Sequence, residues 1–125
     1  MQVYFAKGHY FSIQTAHSFK HLIYPMPSDG GLGTHLTLDL AGRLKAGPDV
    51  EWLDHSDPAK IDYSVAEHRK AAFLSSIRQY WPQVPEQALQ ADYAGVRAKL
   101  HGPGMAAEDF MIETPSAHQV PGVPV

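Results

Sequence analysis

Residues 89–100 read LQADYAGVRAKL, and in this stretch small or apolar side chains alternate with larger polar ones. Successive side chains of a β-strand point to opposite faces, so a period of two predicts a strand with two unlike faces. The residues of the polar face are Tyr93, Gly95, Arg97 and Lys99. This stretch therefore predicts a sheet-based fold in which one sheet face carries positive charge.

Strand patterns also occur in the first part of the chain. Residues 2–13 combine β-branched and aromatic side chains around Lys7 and Gly8, which indicates two strand pieces bent at the glycine. Residues 21–24 form a short apolar run that ends at Pro25. Both segments are expected to join the same sheet.

Residues 33–40 predict a half-buried strand, because leucines and polar residues alternate strictly there. The leucines of one face are Leu36, Leu38 and Leu40. The polar residues of the other face are His35, Thr37 and Asp39. The turn residues that follow, at positions 41 and 42, predict a further strand that ends near residue 47.

One long helix is predicted over residues 64–81. Ser64 and Glu67 have the spacing of a capping box, in which each side chain takes one backbone amide at the start of a helix. Pro82 ends the segment, since a proline disfavours helical geometry in the residue before it. The residues of its apolar stripe are Ala66, Phe73, Ile77, Tyr80 and Trp81.

The remaining segments have weaker patterns. Residues 49–62 have no clear period and predict an irregular loop, residues 109–113 predict a short strand, and residues 116–125 predict a loop. Several strands with one long helix predict an α+β fold with a mainly antiparallel sheet. A chain of 125 residues is expected to form a single domain over positions 1–125.

The composition excludes several classes of function. Apolar residues make up 44% of the chain and charged residues 18%, which are values of a globular domain. The net charge of -3 without a lysine or arginine run argues against a nucleic-acid partner. The absence of cysteine excludes a disulfide framework and a cysteine nucleophile. No leader pattern or membrane-length apolar run is visible, so we expect a cytoplasmic protein.

The charged strand face has two interpretations. Arg97 and Lys99 repel each other unless an anion or solvent lies over them, and a guanidinium with a neighbouring ammonium suits a carboxylate. Alternatively, the face is an exposed edge whose charges only keep the protein soluble. Spacing alone leaves both open.

His35 and Thr37 raise a similar choice. Together they place an imidazole and a hydroxyl on one sheet face, and histidine is the side chain best suited to proton transfer near neutral pH. The alternative is a histidine that is satisfied by structural hydrogen bonds. No metal site is predicted, because the eight histidines lack a recognisable ligand spacing. The chain also has no glycine-rich fingerprint for a dinucleotide.

Seven short segments, taken in order, resemble one known family. They lie at residues 7–11, 22–27, 31–42, 47–48, 80–82, 93–99 and 109–110. Their order and spacing resemble the substrate domain of FAD-dependent oxidoreductases of the D-amino-acid oxidase superfamily, closest to the L-2-hydroxyglutarate dehydrogenase/oxidase type. Many relatives have a proline after the matching arginine, where this chain has Ala98.

The resemblance implies an enzyme of two parts, in which a Rossmann-like half binds FAD and a sheet-rich half covers the flavin and shapes the substrate pocket. This chain resembles the second half alone. FAD would then belong to the intact parent protein, and no flavin is expected on this chain by itself. The implied partners are a small carboxylate substrate and the FAD-binding half or subunit. The exposed flavin-side face also predicts a homo-oligomer.

The same resemblance implies roles for two pairs of residues. Arg97 matches the arginine that holds the substrate carboxylate in relatives, and Lys99 would assist it or take a second carboxylate. His35 and Thr37 match the His-x-Thr of the strand that faces the flavin. His35 is thus the candidate that accepts the hydroxyl proton while hydride leaves for the flavin.

Three further residues are implied near the ligand. Lys7 and Gly8 match a Lys/Arg-Gly entry to the substrate domain and would lie near the cofactor, and Tyr10 would line the pocket. The parent would oxidise a small 2-hydroxy acid or an amino acid. The alternative is a non-catalytic carboxylate-binding or accessory module that works with a separate flavoprotein subunit.

Overall fold

The computed structural model describes residues 2–26, 33–106, 109 and 112. These residues contain a five-stranded sheet and one α-helix, α1 (Lys70–Arg78). The strands are β1 (Tyr4–Ile13), β2 (Leu36–Leu38), β3 (Leu44–Ala46), β4 (Glu51–Trp52) and β5 (Leu89–Lys99). Short 3-10 turns lie at Pro58–Lys60, Glu67–Arg69 and Glu86–Ala88. The predicted combination of a mainly antiparallel sheet with one helix is confirmed.

Strand β1 is the centre of the sheet. Strand β5 pairs with it along one edge, while β3 and β4 pair with two separate parts of the other edge. Strand β2 extends the sheet beyond β3, and every pairing is antiparallel. The pattern of residues 89–100 predicted β5 well, because apolar and polar residues alternate on both sides of Asp92 and Tyr93, where the phase of the alternation changes.

The hydrophobic core lies between α1 and one face of the sheet. Phe11 of β1 is fully buried, and its ring centroid lies 4.7 Å from that of Phe73 in α1. Leu36 and Leu44 pack in the same cluster, together with Ile77 from the helix. Burying side chains of this size contributes about 1.5 to 3 kcal/mol each, so this layer holds the helix on the sheet.

The helix is shorter than the predicted segment 64–81. A 3-10 turn at Glu67–Arg69 precedes α1, and the predicted capping box does not form. Instead, the backbone amide and hydroxyl of Ser64 both donate to the carboxylate of Asp62, at 2.8 and 2.6 Å. A local acceptor two residues earlier therefore competes with the helix for the Ser64 side chain.

Strand β2 is also shorter than predicted. Asp39 accepts hydrogen bonds from the backbone amides of Ala41 and Arg43, each at 2.9 Å, and from Nε of Arg43 at 2.7 Å. These bonds reverse the chain, so the alternation of leucines ends in a turn and Leu40 is fully exposed. The same bonds hold the pKa of Asp39 below its usual value, with the Arg43 backbone amide as the largest cause.

Three other segments differ from their predictions or are only partly covered. Residues 21–24 contribute a single bridge, between Ile23 and Leu36, rather than a strand. The predicted loop 49–62 contains β4. The strand predicted at 109–113 and the loop predicted at 116–125 lie outside the described residues, apart from positions 109 and 112. Within the described ranges, no helix has the length and apolar character needed to cross a membrane.

Candidate functional site

The site candidates lie on the sheet face that α1 does not cover. Alternation along β1 directs Phe11 and Ile13 to the helix and leaves the intervening residues on the opposite, open face. The register then sets Arg97 beside Ala6, Lys99 beside Tyr4 and Gly95 beside Gly8. The predicted charged face of β5 is therefore on the open side of the sheet.

A groove of about 640 Å³ runs over this open face. Its size is within the range of sites that bind small molecules. The side chains that matter for its chemistry are Tyr10, Trp52, Arg97, Lys99, His101 and Met105. Four residues that the sequence singled out, Gly8, Tyr10, Arg97 and Lys99, thus meet in one concave surface.

The groove is lined by two cations, Arg97 and Lys99. Neither Arg97 nor Lys99 takes part in the ion pairs found among residues 2–26 and 33–106. Asp92, on the same strand, is bound to Lys45 at 3.1 Å. Side chains two apart on a strand lie about 6.8 Å apart at the backbone, a spacing that suits one carboxylate shared by both cations or two carboxylates of one acid.

Tyr10 forms one end of the groove. Its ring stacks on Tyr93 with centroids 4.5 Å apart. Burial, and then the neighbouring Tyr93, raises the pKa of Tyr10 above its usual value, while the Arg97 guanidinium acts in the opposite direction. The Tyr10 phenol is therefore neutral near pH 7 and has a hydroxyl hydrogen to donate.

Gly47 explains how the Tyr10 ring is accommodated. Its φ of 141° is one that residues with side chains rarely adopt. A Cβ built on Gly47 would also lie 2.6 Å from the backbone oxygen of His9 and 2.7 Å from the ring of Tyr10. The missing side chain lets the Tyr10 ring lie against the neighbouring backbone.

His35 and Thr37 lie on the same sheet face but outside the lining of the groove. The backbone oxygen of His35 accepts a hydrogen bond from Gly47 at 3.0 Å, which sets His35 in the cross-strand row of Gly47 and Tyr10. Thr37 pairs with Lys45 in the next row. Since neighbouring strands are about 4.8 Å apart, β2 lies roughly 14 Å from β5. Tyr10 is between His35 and Arg97.

The sequence did not single out Tyr24, which covers His35. The two ring centroids are 4.0 Å apart, and His35 is buried while Tyr24 is exposed. The electrostatic effect of Tyr24 is the smallest of the causes that raise the pKa of Tyr10. No periodic pattern marks Tyr24, because it follows Ile23, whose single bridge to Leu36 does not extend into a strand.

Lys7 and Gly8 have different surroundings. Lys7 borders the groove, but alternation sends its side chain to the other face, where it is 6% exposed. The pKa of Asp62 is lowered mainly by the Ser64 hydroxyl and also by the charges of Lys7 and His9, which locates the ammonium on that side. Gly8 faces the groove, where Pro48 occupies the space of its missing side chain.

A polar network under the groove was not predicted. His9 is 1% exposed, and Asp49 accepts bonds from its backbone amide and its Nδ1 at 2.8 Å each. Arg69 donates to Asp49 at 2.7 Å and to Glu51 at 2.8 Å. These residues lie far apart in the sequence, so no local pattern could reveal them. The network joins the segment before α1 to the strand that carries Tyr10.

The far end of the groove is aromatic, and the sequence analysis did not predict this feature. The rings of Trp52 and His101 meet edge to face, with centroids 5.9 Å apart. The backbone amide of Gly102 donates to the sulfur of Met105 at 3.4 Å. The Gly-Pro-Gly turn after β5 could have indicated this feature, since a turn there returns the chain over the end of that strand. Among the described residues, no group of three or more histidines and carboxylates is arranged to hold a metal ion.

Comparison with known proteins gives one consistent result. A family model described as FAD dependent oxidoreductase, DAO, matches residues 1–123. The chain is 41% identical over 127 residues to the mitochondrial L-2-hydroxyglutarate dehydrogenase of Arabidopsis thaliana, which covers 96% of this chain and 26% of that protein. It is 28% identical over 142 residues to the L-2-hydroxyglutarate dehydrogenase of Escherichia coli K12, over 86% of this chain and 34% of that protein.

A third relative is the L-2-hydroxyglutarate dehydrogenase of Salmonella houtenae, 28% identical over 139 residues. The chain thus spans about a quarter to a third of the length of these relatives. These matches confirm the family that the short sequence segments indicated. The chain belongs to the DAO family of FAD-dependent oxidoreductases.

Proposed function

We propose that this chain forms the substrate-binding surface of a FAD-dependent oxidoreductase that oxidises a small 2-hydroxy acid. The observation that carries the proposal is the groove in which Arg97 and Lys99 make no ion pair with residues 2–26 or 33–106, next to the neutral phenol of Tyr10. The names of the three relatives add L-2-hydroxyglutarate as the first acid to test.

The carboxylate of the acid would bind to Arg97, because a guanidinium offers two parallel donors to a carboxylate. Lys99 would neutralise a second carboxylate, which favours a dicarboxylic acid over a monocarboxylic one. The Trp52 and His101 rings close that end of the groove and reduce the access of water to the ion pair. Excluding water strengthens such a pair.

The hydroxyl end of the acid would lie toward Tyr10. The Tyr10 phenol would hydrogen-bond to the hydroxyl of the acid. His35, two strands from Tyr10 in the same cross-strand row, would receive the hydroxyl proton by way of that phenol. Thr37 lies one row further along the same face. The bound FAD would supply the acceptor for the hydride that leaves the α-carbon.

The residues of this chain suit a position over a flavin rather than the binding of its phosphates. The open sheet face has little side-chain bulk at Ala6 and Gly95, which leaves room for ligands above the strands. The chain has no glycine-rich fingerprint at the start of a helix to hold a pyrophosphate. We therefore propose that FAD is held mainly by a part of the protein outside these 125 residues, which covers the open sheet face.

The test uses the longest natural protein that contains these residues, purified with FAD. Arg97→Ala is expected to raise the Michaelis constant for L-2-hydroxyglutarate by about 10- to 100-fold, and Arg97→Lys by less, since a charged hydrogen bond contributes about 1.5 to 3 kcal/mol. Arg78→Ala, on the opposite side of the sheet in α1, is the control. An unchanged Michaelis constant for Arg97→Ala would remove Arg97 from this role.

His35 is tested separately, because its proposed role is in proton transfer. His35→Asn is expected to lower kcat by about 100-fold or more while changing the Michaelis constant little. A loss confined to substrate affinity would instead give His35 a binding role. If the wild-type protein binds acids without reducing FAD, the chain is a carboxylate-binding module and the catalytic proposal is wrong.

A further inference from the structure

Gly95 is a glycine that the fold of this chain does not require. A Cβ built on it meets no atom of residues 2–26 or 33–106 within 4 Å, and its φ is not in the positive range. Neither packing nor backbone conformation therefore excludes a side chain. Glycine also weakens the interior of a strand, where it often marks the close approach of another group to the backbone. The open space above Gly95 calls for an explanation outside the fold itself.

The position of Gly95 in the groove supplies that explanation. It lies on the open face of β5, between Arg97 on one side and Tyr93 on the other. Residues two apart on a strand are about 6.8 Å apart, so a stretch of roughly 13 Å between these two side chains has no side chain of its own. Gly8, across the strand pair, is covered by Pro48, whereas Gly95 is covered by nothing among the described residues.

We propose that Gly95 determines the substrate specificity of the groove by leaving room for the carbon chain of a short, unbranched organic acid. This inference rests on the proposed function, because it takes Arg97 as the anchor of the carboxylate. With its α-carboxylate at Arg97, the acid has its α-carbon over Gly95 and its hydroxyl directed toward Tyr10, while a second carboxylate extends toward Lys99. A side chain at position 95 would occupy the space of the α-carbon or its neighbours.

The proposal separates stability from activity. Gly95→Ala is expected to leave the melting temperature unchanged or raise it, because alanine restricts the unfolded chain and meets no clash in the folded one. In the same FAD-loaded protein, Gly95→Ala is expected to lower kcat/KM for L-2-hydroxyglutarate by about tenfold and Gly95→Val by about 100-fold. The smaller acid glycolate should lose less than L-2-hydroxyglutarate in both variants.

Ala98→Val is the matched control. It adds a similar volume to the same strand, but alternation directs it to the opposite face, and Ala98 does not line the groove. It is expected to leave the ratio of the two kcat/KM values unchanged. A β-branched side chain fits a strand well, so Ala98→Val also controls for effects on β5 itself.

Two results would overturn the inference. One is a Gly95→Val protein that oxidises both acids as the wild type does. The other is a lower melting temperature of the Gly95 variants together with an equal fall in kcat/KM for both acids. That result would show that Gly95 has a structural role. If Arg97→Ala raises the Michaelis constant and Gly95→Val does not, the inference about Gly95 alone fails. If neither variant changes it, the proposed function fails as well.

Discussion

The phenol rings of Tyr10 and Tyr93 stack across β1 and β5, with 13° between their planes. The register of the two strands shifts here, because His9 pairs with Ala94 while Phe11 pairs with Ala91. The shift leaves two residues of β5 opposite Tyr10 alone, which is the arrangement of a β-bulge. The bulge turns Tyr93 onto Tyr10 and so fixes the phenol at the end of the groove.

The stack predicts a role for Tyr93 in holding Tyr10. Tyr93→Ala is expected to free the Tyr10 ring and to raise the Michaelis constant of the FAD-loaded protein about fivefold, since aromatic pairs contribute about 1 kcal/mol. Tyr93→Phe retains the ring and should behave as the wild type does. Steady-state kinetics with L-2-hydroxyglutarate measure the difference, and equal effects of the two variants would refute the argument.

The ion pairs of Arg69 predict a contribution to stability. Arg69→Met leaves the carboxylates of Asp49 and Glu51 without their shared guanidinium, beside the buried His9. We expect the free energy of unfolding to fall by about 2 kcal/mol, measured by urea denaturation. The control is Arg43→Met, whose side chain is 78% exposed in its pair with Asp39, and it should cost less than about 0.5 kcal/mol.

The two leucines at the ends of the β2 pattern predict opposite outcomes. Leu36 is fully buried in the core, so Leu36→Ala should lower the free energy of unfolding by about 2 to 5 kcal/mol. Leu40 is fully exposed in the turn, and Leu40→Ala should change it by less than about 0.5 kcal/mol. Thermal and urea unfolding of both variants would show whether the turn, rather than the alternation, decides which leucine is buried.

The environment of Tyr80 predicts that the free energy of unfolding depends on pH. Its hydroxyl donates to the backbone oxygen of Thr34 at 2.8 Å, and burial raises its pKa to about 12. The pKa of tyrosine in an unfolded chain is about 10. A group whose pKa is raised by folding stabilises the fold fully below the unfolded pKa, and this stability is lost as the pH rises through the folded pKa.

The measurement is the difference in unfolding free energy between the wild type and Tyr80→Phe. Near pH 8 the wild type should be more stable by about 1 kcal/mol, the contribution of one hydrogen bond. Between pH 10 and 12 this difference should shrink, because phenolate formation breaks the bond to Thr34. A difference that stays constant over this range would show that Tyr80 does not titrate with folding.

Local patterns predicted the elements of this fold unevenly. The alternation of residues 89–100 predicted β5 almost to its last residue, with a change of phase at Asp92 and Tyr93 where the β-bulge lies. The same reasoning failed at Leu40, because a pattern of apolar residues contains no information about the hydrogen bonds by which Asp39 caps a turn. It failed at Ser64 for the same reason, since the nearby Asp62 took the hydroxyl that the capping box needed. Side-chain hydrogen bonds over two residues override periodicity at the ends of elements.

The candidate site was predicted in part. Arg97, Lys99 and Tyr10 were named from the sequence and meet in one groove. His35 lies on the same sheet face but does not line that groove. The contributions of Trp52, His101 and Tyr24 were missed. These three come from short or irregular segments, where no period distinguishes an exposed aromatic residue from one that lines a groove.

The sequence by itself determined which residues share a strand face, because alternation along a strand depends only on the local backbone geometry. It also identified the family, through the order of short segments along the chain. Only the tertiary structure decided which sheet face the helix covers and how far apart the residues of different strands lie. Both depend on the order of the strands, with β1 between β5 and β3, and that order is fixed by pairings between residues as far apart as Phe5 and Ala98. No local pattern contains such pairings, since their stability comes from contacts made only after the chain has folded.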